Sequence, residues 1–457
     1  MIIVRNNLTY ITSSFYPRFQ TLSTLQMSNI TAFSTLITTY STWAEMSAFL
    51  TSAAGGCLRV DDRSSVTNPF ALIRYVKGKS NMSLPHVRAF RSVVWDVLEN
   101  RPVSVTPFKS QDGETLPAMS EFPLDKYRIQ EFVDGVMIGM FWDKYSSSWR
   151  IHTRSTLDAG CRYYSQTKTF QQLFDEANAN FSTLLINTGM SYTFVLQHPE
   201  NRIVTSTQSP VLYCVQQTHV NAEGTVTTME PAPSVFNCAN VLAPKSYVLQ
   251  TPNDVWSKIA MLNLEVPTAQ GLVIKDLLTG DRYKVRTLIY NTIRQMRGNS
   301  PRRDYTWLTL WRNNTLRDYT IMYPEERTEA EGLVNKWKAV TNSVFHIYTD
   351  VFKARSMNKA DIPPKYRPLV YGLHNLYMES LKPAQKSVDW KTTLAYMNAR
   401  DVAQMLFVIN WDVREAAKAS SAPAIPLEPS SMFGTDPNEA QPSQPKTDAP
   451  VVEIPSA

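Results

Sequence analysis

The groups with most capacity for chemistry lie between Arg282 and Arg317. There Arg282, Lys284, Arg286, Arg294, Arg297, Arg302, Arg303, Arg312 and Arg317 are interleaved with Tyr283, Tyr290, Tyr305, Trp307 and Trp311, and the acids are only Asp281 and Asp304. Cations track a phosphate backbone and aromatic faces stack on bases, so this pattern suits nucleic acid. The contact candidates are Arg294, Arg297, Arg302, Arg303 and Arg312. The plainer alternative, rings in a core with arginine heads in solvent, stays open. Asp134-Gly135 is a second point of interest: a carboxylate that orients a bound group, or one that bonds nearby backbone where a strand begins. His152 beside Thr153 has the chemistry of a general base but no paired carboxylate in the sequence. His86, His198, His219, His346 and His374 lack metal-ligand spacing, so no metal site and no catalytic residue are assigned. Glu325-Glu326 and Glu329-Glu331 read as a solvated first helical turn.

Periodicity supplies the elements that must hold these groups. From Tyr127 to Arg154 two runs rich in aromatic and β-branched residues flank the small residues Ser146-Ser147-Ser148, which predicts a β-hairpin with Asp134-Gly135 at its start. Strand-like runs begin at Phe70, His86, Arg101, Ser191, Val211, Gln270 and Asp281. Helical spacing covers 28–50, 170–185, 253–264, 328–351, 364–381 and 390–417.

The chain has 457 residues, enough for two or three domains, with 43% hydrophobic residues and a formal charge of +6. Cys57, Cys161, Cys214 and Cys238 are scattered without a CxxC pair, as in a reducing compartment. No stretch approaches the roughly 18 apolar residues of a membrane span, and the first residues lack the layout of a signal peptide. The expectation is a soluble intracellular protein, cytoplasmic or virion-associated, without a membrane partner. Residues 1–26 read as a flexible extension, with Met27 a plausible start, and the Pro/Ser-rich 419–457 as a disordered tail.

Six separated segments resemble the motifs of phage-type ATP-dependent RNA ligases of the nucleotidyltransferase superfamily. Their Lys-x-Asp-Gly corresponds to Phe132-Val133-Asp134-Gly135 here. Their early Arg-Gly and Pro-Phe…Lys correspond to Arg91-Ser92 and Pro107-Phe108-Lys109. Their aromatic-Glu-aromatic strand before Pro-x-Asn-Arg-Ile-Val corresponds to Phe194-Val195-Leu196 and Pro199-Glu200-Asn201-Arg202-Ile203-Val204. Their Glu-Gly-x-Val and Lys-x-Lys correspond to Gln270-Gly271-Leu272-Val273 and Lys284-Val285-Arg286. The stretch QMRGNSPRRDYTWLTLWRNN and the helical region after it are similar to an RNA-ligase-like family of large DNA viruses, whose members also lack the lysine.

The resemblance implies an α+β fold: a ligase-type nucleotidyltransferase domain of antiparallel sheets with flanking helices over 27–318, then an all-helical domain over 319–418. In such ligases the lysine attacks the α-phosphate of ATP and carries AMP; Phe132 has no nucleophile. Val195 stands where a carboxylate holds the ribose, and Gln270 where a glutamate helps bind metal. Lys284 and Arg286 keep the phosphate contact. The resemblance therefore implies nucleotide or phosphate contacts at Arg91, Lys109, Asp134, Gly135, Lys275, Lys284 and Arg286. It implies an RNA-ligase-like protein without ligase chemistry that binds nucleic acid (RNA or DNA) or a nucleotide, or serves structurally. ATP and Mg2+ enter only if the chain is an active ligase with a relocated nucleophile, and Lys126 and Lys144, which flank the first motif, are poorly placed for that. A third reading is a virion or assembly protein whose old pocket is filled by Phe132. No protein partner is implied.

Overall fold

Asp143 shows why the expected hairpin forms. Its Oδ1 accepts from the backbone N–H of Tyr145 and of Ser146 at 2.8 and 3.2 Å, and Ser147 sits in the left-handed region at φ 50°. A short carboxylate bonding the backbone two residues on closes a turn locally. In this computed structural model the described residues are 26–165, 167–178, 186–230, 233–236 and 238–420. Apart from Gln26, the expected N-terminal extension lies outside them, as does the expected tail apart from the end of its preceding helix.

In chain order the strands are β1 (Gln26–Ile30), β2 (Arg59–Asp62), β3 (Phe70–Arg74), β4 (Val93–Asp96), β5 (Arg101–Val105), β6 (Gln111–Asp112), β7 (Tyr127–Glu131), β8 (Val136–Asp143), β9 (Ser148–His152), β10 (Met190–Gln197), β11 (Val211–Val220), β12 (Val226–Met229), β13 (Val241–Leu242), β14 (Ser246–Tyr247), β15 (Gly271–Asp276) and β16 (Arg282–Arg286). The helices are α1 (Ala32–Thr39), α2 (Trp43–Thr51), α3 (Phe170–Ala177), α4 (Pro252–Glu265), α5 (Leu288–Arg297), α6 (Arg303–Arg312), α7 (Leu316–Met322), α8 (Arg327–Tyr348), α9 (Arg367–Leu376), α10 (Trp390–Asn398), α11 (Val402–Ile409) and α12 (Trp411–Ser420). The fold is α+β with predominantly antiparallel sheets. The chain divides into two compact units, Met1–Asn335 and Lys336–Ala457.

Among the described residues the first unit holds three sheets. One has seven strands, ordered β1-β12-β11-β10-β8-β9 with β13 beside β11; a second runs β14-β7-β15-β16-β6; a third runs β2-β3-β4-β5. Alternate residues of a strand face opposite sides, which sorts apolar from polar groups. Tyr127 and Ile129 of β7, Leu272 and Ile274 of β15, and Tyr283 and Val285 of β16 form one core with Val255, Ile259 and Leu262 of α4. Ile138 and Met140 of β8 and Phe194 and Leu196 of β10 form another with Phe170, Leu173 and Phe174 of α3. The third sheet packs on the hairpin through Phe70, Leu72, Val94 and Phe141. Buried His152 adds a polar latch there, its Nε2 2.9 Å from the Ser104 hydroxyl and its Nδ1 3.0 Å from the Thr153 carbonyl.

Several sequence expectations change. The run from His86 is not one strand: Pro85–Ala89 is a 3-10 turn, with His86 Nε2 2.9 Å from the Gly55 carbonyl oxygen, and β4 begins only at Val93. The expected helix over 170–185 is described as far as Ala177; it starts with a capping box between Thr169 and Gln172, and 179–185 lie outside the described residues. The basic stretch after Arg286 contains α5, α6 and α7, which the sequence reading had not placed. In the second unit the expected single helix over 390–417 is three. The N–H of Ala403 donates to Asp401 at 2.7 Å, which restarts the chain as α11, and Asn410 ends it. Leu369, Leu373, Met397, Met405 and Leu406 are buried in that unit.

Candidate functional site

The sheet faces turned away from the α4 and α3 cores bound a cleft of about 280 Å3. From the second sheet come Gln130 of β7, Val273 and Lys275 of β15, and Arg282, Lys284 and Arg286 of β16; from the first come Met137 of β8, Val195 of β10 and Val215 of β11. Period-two alternation explains the split on β16: Tyr283 and Val285 enter the core, so Arg282, Lys284 and Arg286 must face the other way. The segment 132–135, which carries the chain from β7 into β8, crosses from one sheet to the other and lines the cleft between them.

The lining mixes charges and apolar groups: the cations Arg91, Lys109, Lys275, Arg282, Lys284, Arg286 and Arg294, the carboxylates Glu131 and Asp134, and the apolar side chains Phe132, Val133, Met137, Val195 and Val215. All seven residues implied as phosphate contacts therefore meet in one place, and Arg294 joins them. Lys284 pairs with Asp112 at 2.7 Å. Arg286 lies over the Phe132 ring at 5.8 Å and the Tyr290 ring at 6.0 Å. Burial, with Lys284 nearby, presses the Lys109 pKa down. Lys275 is only 6% exposed, and burial lowers its pKa to about 8. Its ammonium donates to the Val215 carbonyl at 3.1 Å. That carbonyl is available because β10 and β11 slip register there: Thr193 faces Gln216 while Phe194 faces Cys214, leaving Val215 as the extra residue of a bulge.

Asp134 is a structural acceptor rather than a free carboxylate. Its Oδ2 accepts from the N–H of Val204 and of Thr205, both at 3.0 Å, and its Oδ1 accepts from the Tyr290 hydroxyl at 2.6 Å. It thus ties β8, the segment after β10 and α5 together under the cleft. Gly135 has φ +147°, and a Cβ there would meet the Leu196 carbonyl oxygen at 2.5 Å, so the position admits glycine for steric reasons. Phe132 is half-buried in the cleft wall, its N–H donating to the Gly271 carbonyl at 2.9 Å. It borders the cavity rather than filling it.

The five nucleic-acid candidates do not form one surface. Arg294 faces the cleft. Arg297, 3% exposed, pairs with the equally buried Glu326 at 2.6 Å, and the Tyr319 hydroxyl and the Trp307 indole N–H both donate to Glu326. The expected solvated acidic turn is thus wrong for Glu326, which is the counter-ion of a buried guanidinium. Arg303 joins this knot at 3.4 Å from Glu326 and donates to the Tyr164 carbonyl at 2.9 Å. Arg302 and Arg312 are exposed. Of the interleaved aromatics, Tyr283, Tyr290 and Trp307 are buried and cannot stack on a base. Lys126 and Lys144 do not line the cleft; Lys144 pairs with Glu99 and Asp96. His152 is fully buried, which lowers its pKa to about 4 and removes it from any general-base role.

Sequence reasoning passed over Arg282 as a cleft residue. The signal was present, since Arg282 shares the face of Lys284 and Arg286 at two-residue spacing. It also passed over Tyr75, which had no such signal. Among the described residues no helix is long and apolar enough to cross a membrane, and no cluster of three or more His, Cys, Asp or Glu could hold a metal.

No family model and no curated protein matches the chain. Solved structures do. One form of an archaeal ATP-dependent RNA ligase is 10% identical with TM-score 0.37, covering 68% of this chain and 82% of that one. Another form is 11% identical with TM-score 0.35, covering 84% and 98%. A putative ATP-dependent DNA ligase from Aquifex aeolicus is 11% identical with TM-score 0.31, covering 79% and 77%. Likeness of that degree leaves the family open, so function rests on the residues of the cleft.

Proposed function

We propose that this chain is an RNA-ligase-like protein, with degenerate motifs as in the viral family it resembles, that binds the phosphates of a nucleotide or nucleic acid without forming a lysine–adenylate at the first motif. The observation that carries this is the cleft itself: seven cations and several apolar side chains line one cavity, and Phe132 stands where the resembled ligases carry their lysine. Phosphates suit the cations and a base suits Phe132, Met137, Val195 and Val215. The donor set does not fit a catalytic divalent metal: Gln270 is neutral, Val195 has no acceptor, Asp134 is already bonded to Tyr290 and two backbone amides, and Glu131 alone does not make a coordination sphere. Binding is tested by titrating labelled ATP and a short single-stranded RNA at fixed salt. Lys284→Ala with Arg286→Ala should weaken both by tenfold or more, and unchanged affinity would remove the cleft from consideration.

One observation favours an active enzyme instead. Lys275 lines the cleft with a pKa lowered to about 8, so a fraction of its amine is neutral near pH 7. Incubation with α-labelled ATP and Mg2+ or Mn2+, then denaturing electrophoresis, separates the readings. An acid-labile label mapping to Lys275 would establish adenylylation, and no label beside a working ligase control would leave binding.

A further inference from the structure

Strand register sets three cations side by side on one face of the second sheet. Lys275 of β15 is the direct partner of Arg128 of β7 in one ladder and of Arg282 of β16 in the other. Directly opposed residues share a face with their Cβ atoms about 5 Å apart, and like charges placed so repel. Among the described residues one carboxylate serves this row: Glu230 lies 3.7 Å from Arg128 and accepts from Gln130 at 3.3 Å. Its Oε1 is buried without a hydrogen-bond partner, and so are the Nε groups of Arg128 and Arg282. The other acids nearby are engaged. Asp276 accepts from the N–H of Leu278 and of Thr279, and Asp281 pairs with Arg88 at 3.6 Å. From the first sheet Lys275 meets the Val215 carbonyl, to which it donates at 3.1 Å, and the buried Cys214 thiol, whose pKa burial raises.

A guanidinium does not shed its proton in proteins, whereas an ammonium can. The crowding is therefore relieved at Lys275, which is 6% exposed and whose pKa burial draws down to about 8. A neutral amine between two fixed positive charges is a nucleophile whose favoured product is an anion. An imine or an amide at that nitrogen leaves both guanidiniums without a counter-ion; a carbamate supplies one, with oxygens that a guanidinium can bond. The amine is nearly covered, yet it lines a cavity with room for a small linear reagent. We propose that Lys275 is a carbamylation site for carbon dioxide. The amine nitrogen attacks the carbon, a C–O π pair moves onto oxygen, and the proton lost from nitrogen passes to water. The product is a carbamate anion between Arg128 and Arg282, and loss of carbon dioxide restores the amine. No oxidant, nucleotide or metal takes part. The inference goes beyond phosphate binding and does not rest on it.

The test follows carbon-13 bicarbonate, the source of the carbon dioxide, by NMR on the full chain at about pH 8 and constant ionic strength. Wild type should show a carbamate carbonyl resonance apart from that of bicarbonate. Methylating the carbamate with trimethyloxonium and mapping the ester by mass spectrometry should place it on Lys275. Lys275→Gln should lose that resonance, and Lys284→Gln, which removes another lysine of the cleft, should keep it. Arg282→Gln should lower the occupancy of Lys275 by about fivefold or more at equal bicarbonate, because the amine is then more often protonated and the carbamate loses a partner. Wild type without a methyl ester at Lys275 would overturn the proposal, and this readout needs no variant to fold. Occupancy in folded Arg282→Gln equal to that of wild type would overturn it as well. Phosphate binding is measured separately, so either reading can fail while the other stands.

Discussion

Asp134 holds the cleft together, and replacing it measures how much. In Asp134→Ala, two backbone N–H groups and the buried Tyr290 hydroxyl lose their acceptor at 5% exposure of the original side chain. A buried donor left unsatisfied costs about 1–3 kcal/mol, so the three together cost about 3–9 kcal/mol. Asp134→Asn is far milder. Its carbonyl oxygen can serve Val204 and Thr205, but its amide can only donate to the Tyr290 oxygen, so a single donor, the Tyr290 hydroxyl, loses its acceptor, at about 1 kcal/mol. Urea unfolding followed by fluorescence reads both. With an m-value of about 3 kcal/mol/M, the alanine variant shifts the midpoint down by more than about 1 M and the asparagine variant by about 0.3 M. The asparagine variant should also bind phosphate ligands at least as tightly as wild type, since it removes a negative charge from a cationic cleft. If alanine costs no more than asparagine, Asp134 is not the tie described. If asparagine abolishes binding while the protein stays folded, the carboxylate contacts the ligand itself.

Gly135→Ala should cost about 2–4 kcal/mol and reduce binding, because the new Cβ strikes the Leu196 carbonyl oxygen and forces β8 from β10; thermal melts check this. His152 has a folded pKa lowered to about 4, so the unfolded chain binds more protons between about pH 6.5 and 4. Stability is complete above pH 6.5 and falls by roughly 3 kcal/mol as pH drops to 4, and His152→Gln should flatten that part of the urea-midpoint profile. The exposed Arg302 and Arg312 should matter less to RNA than the cleft. Arg286→Ala should lower the slope of log affinity against log salt by about 1, whereas Arg297→Ala should unfold the first unit by stranding Glu326.

The sequence alone determined what depends on near neighbours. The alternation on β16 sends Arg282, Lys284 and Arg286 to one face whatever they meet, and Asp143 with Ser147 closes the hairpin through bonds spanning two or three residues. Apolar spacing and strand-like runs were enough for an α+β chain with a helical end, though Asp401 and Asn410 divide its last expected helix. Tertiary structure decided which charges are spent. Arg297 and Arg294 lie three residues apart in one basic stretch, yet the first is consumed by Glu326 and the second faces the cleft. Asp134 finds its acceptor role with Val204 and Tyr290, which lie 70 and 156 residues away. The Val215 bulge that offers its carbonyl to Lys275 exists only as a slip between two paired strands. Periodicity is a property of successive residues. Whether a buried charge meets a partner depends on elements that the fold brings together, and no local pattern carries that.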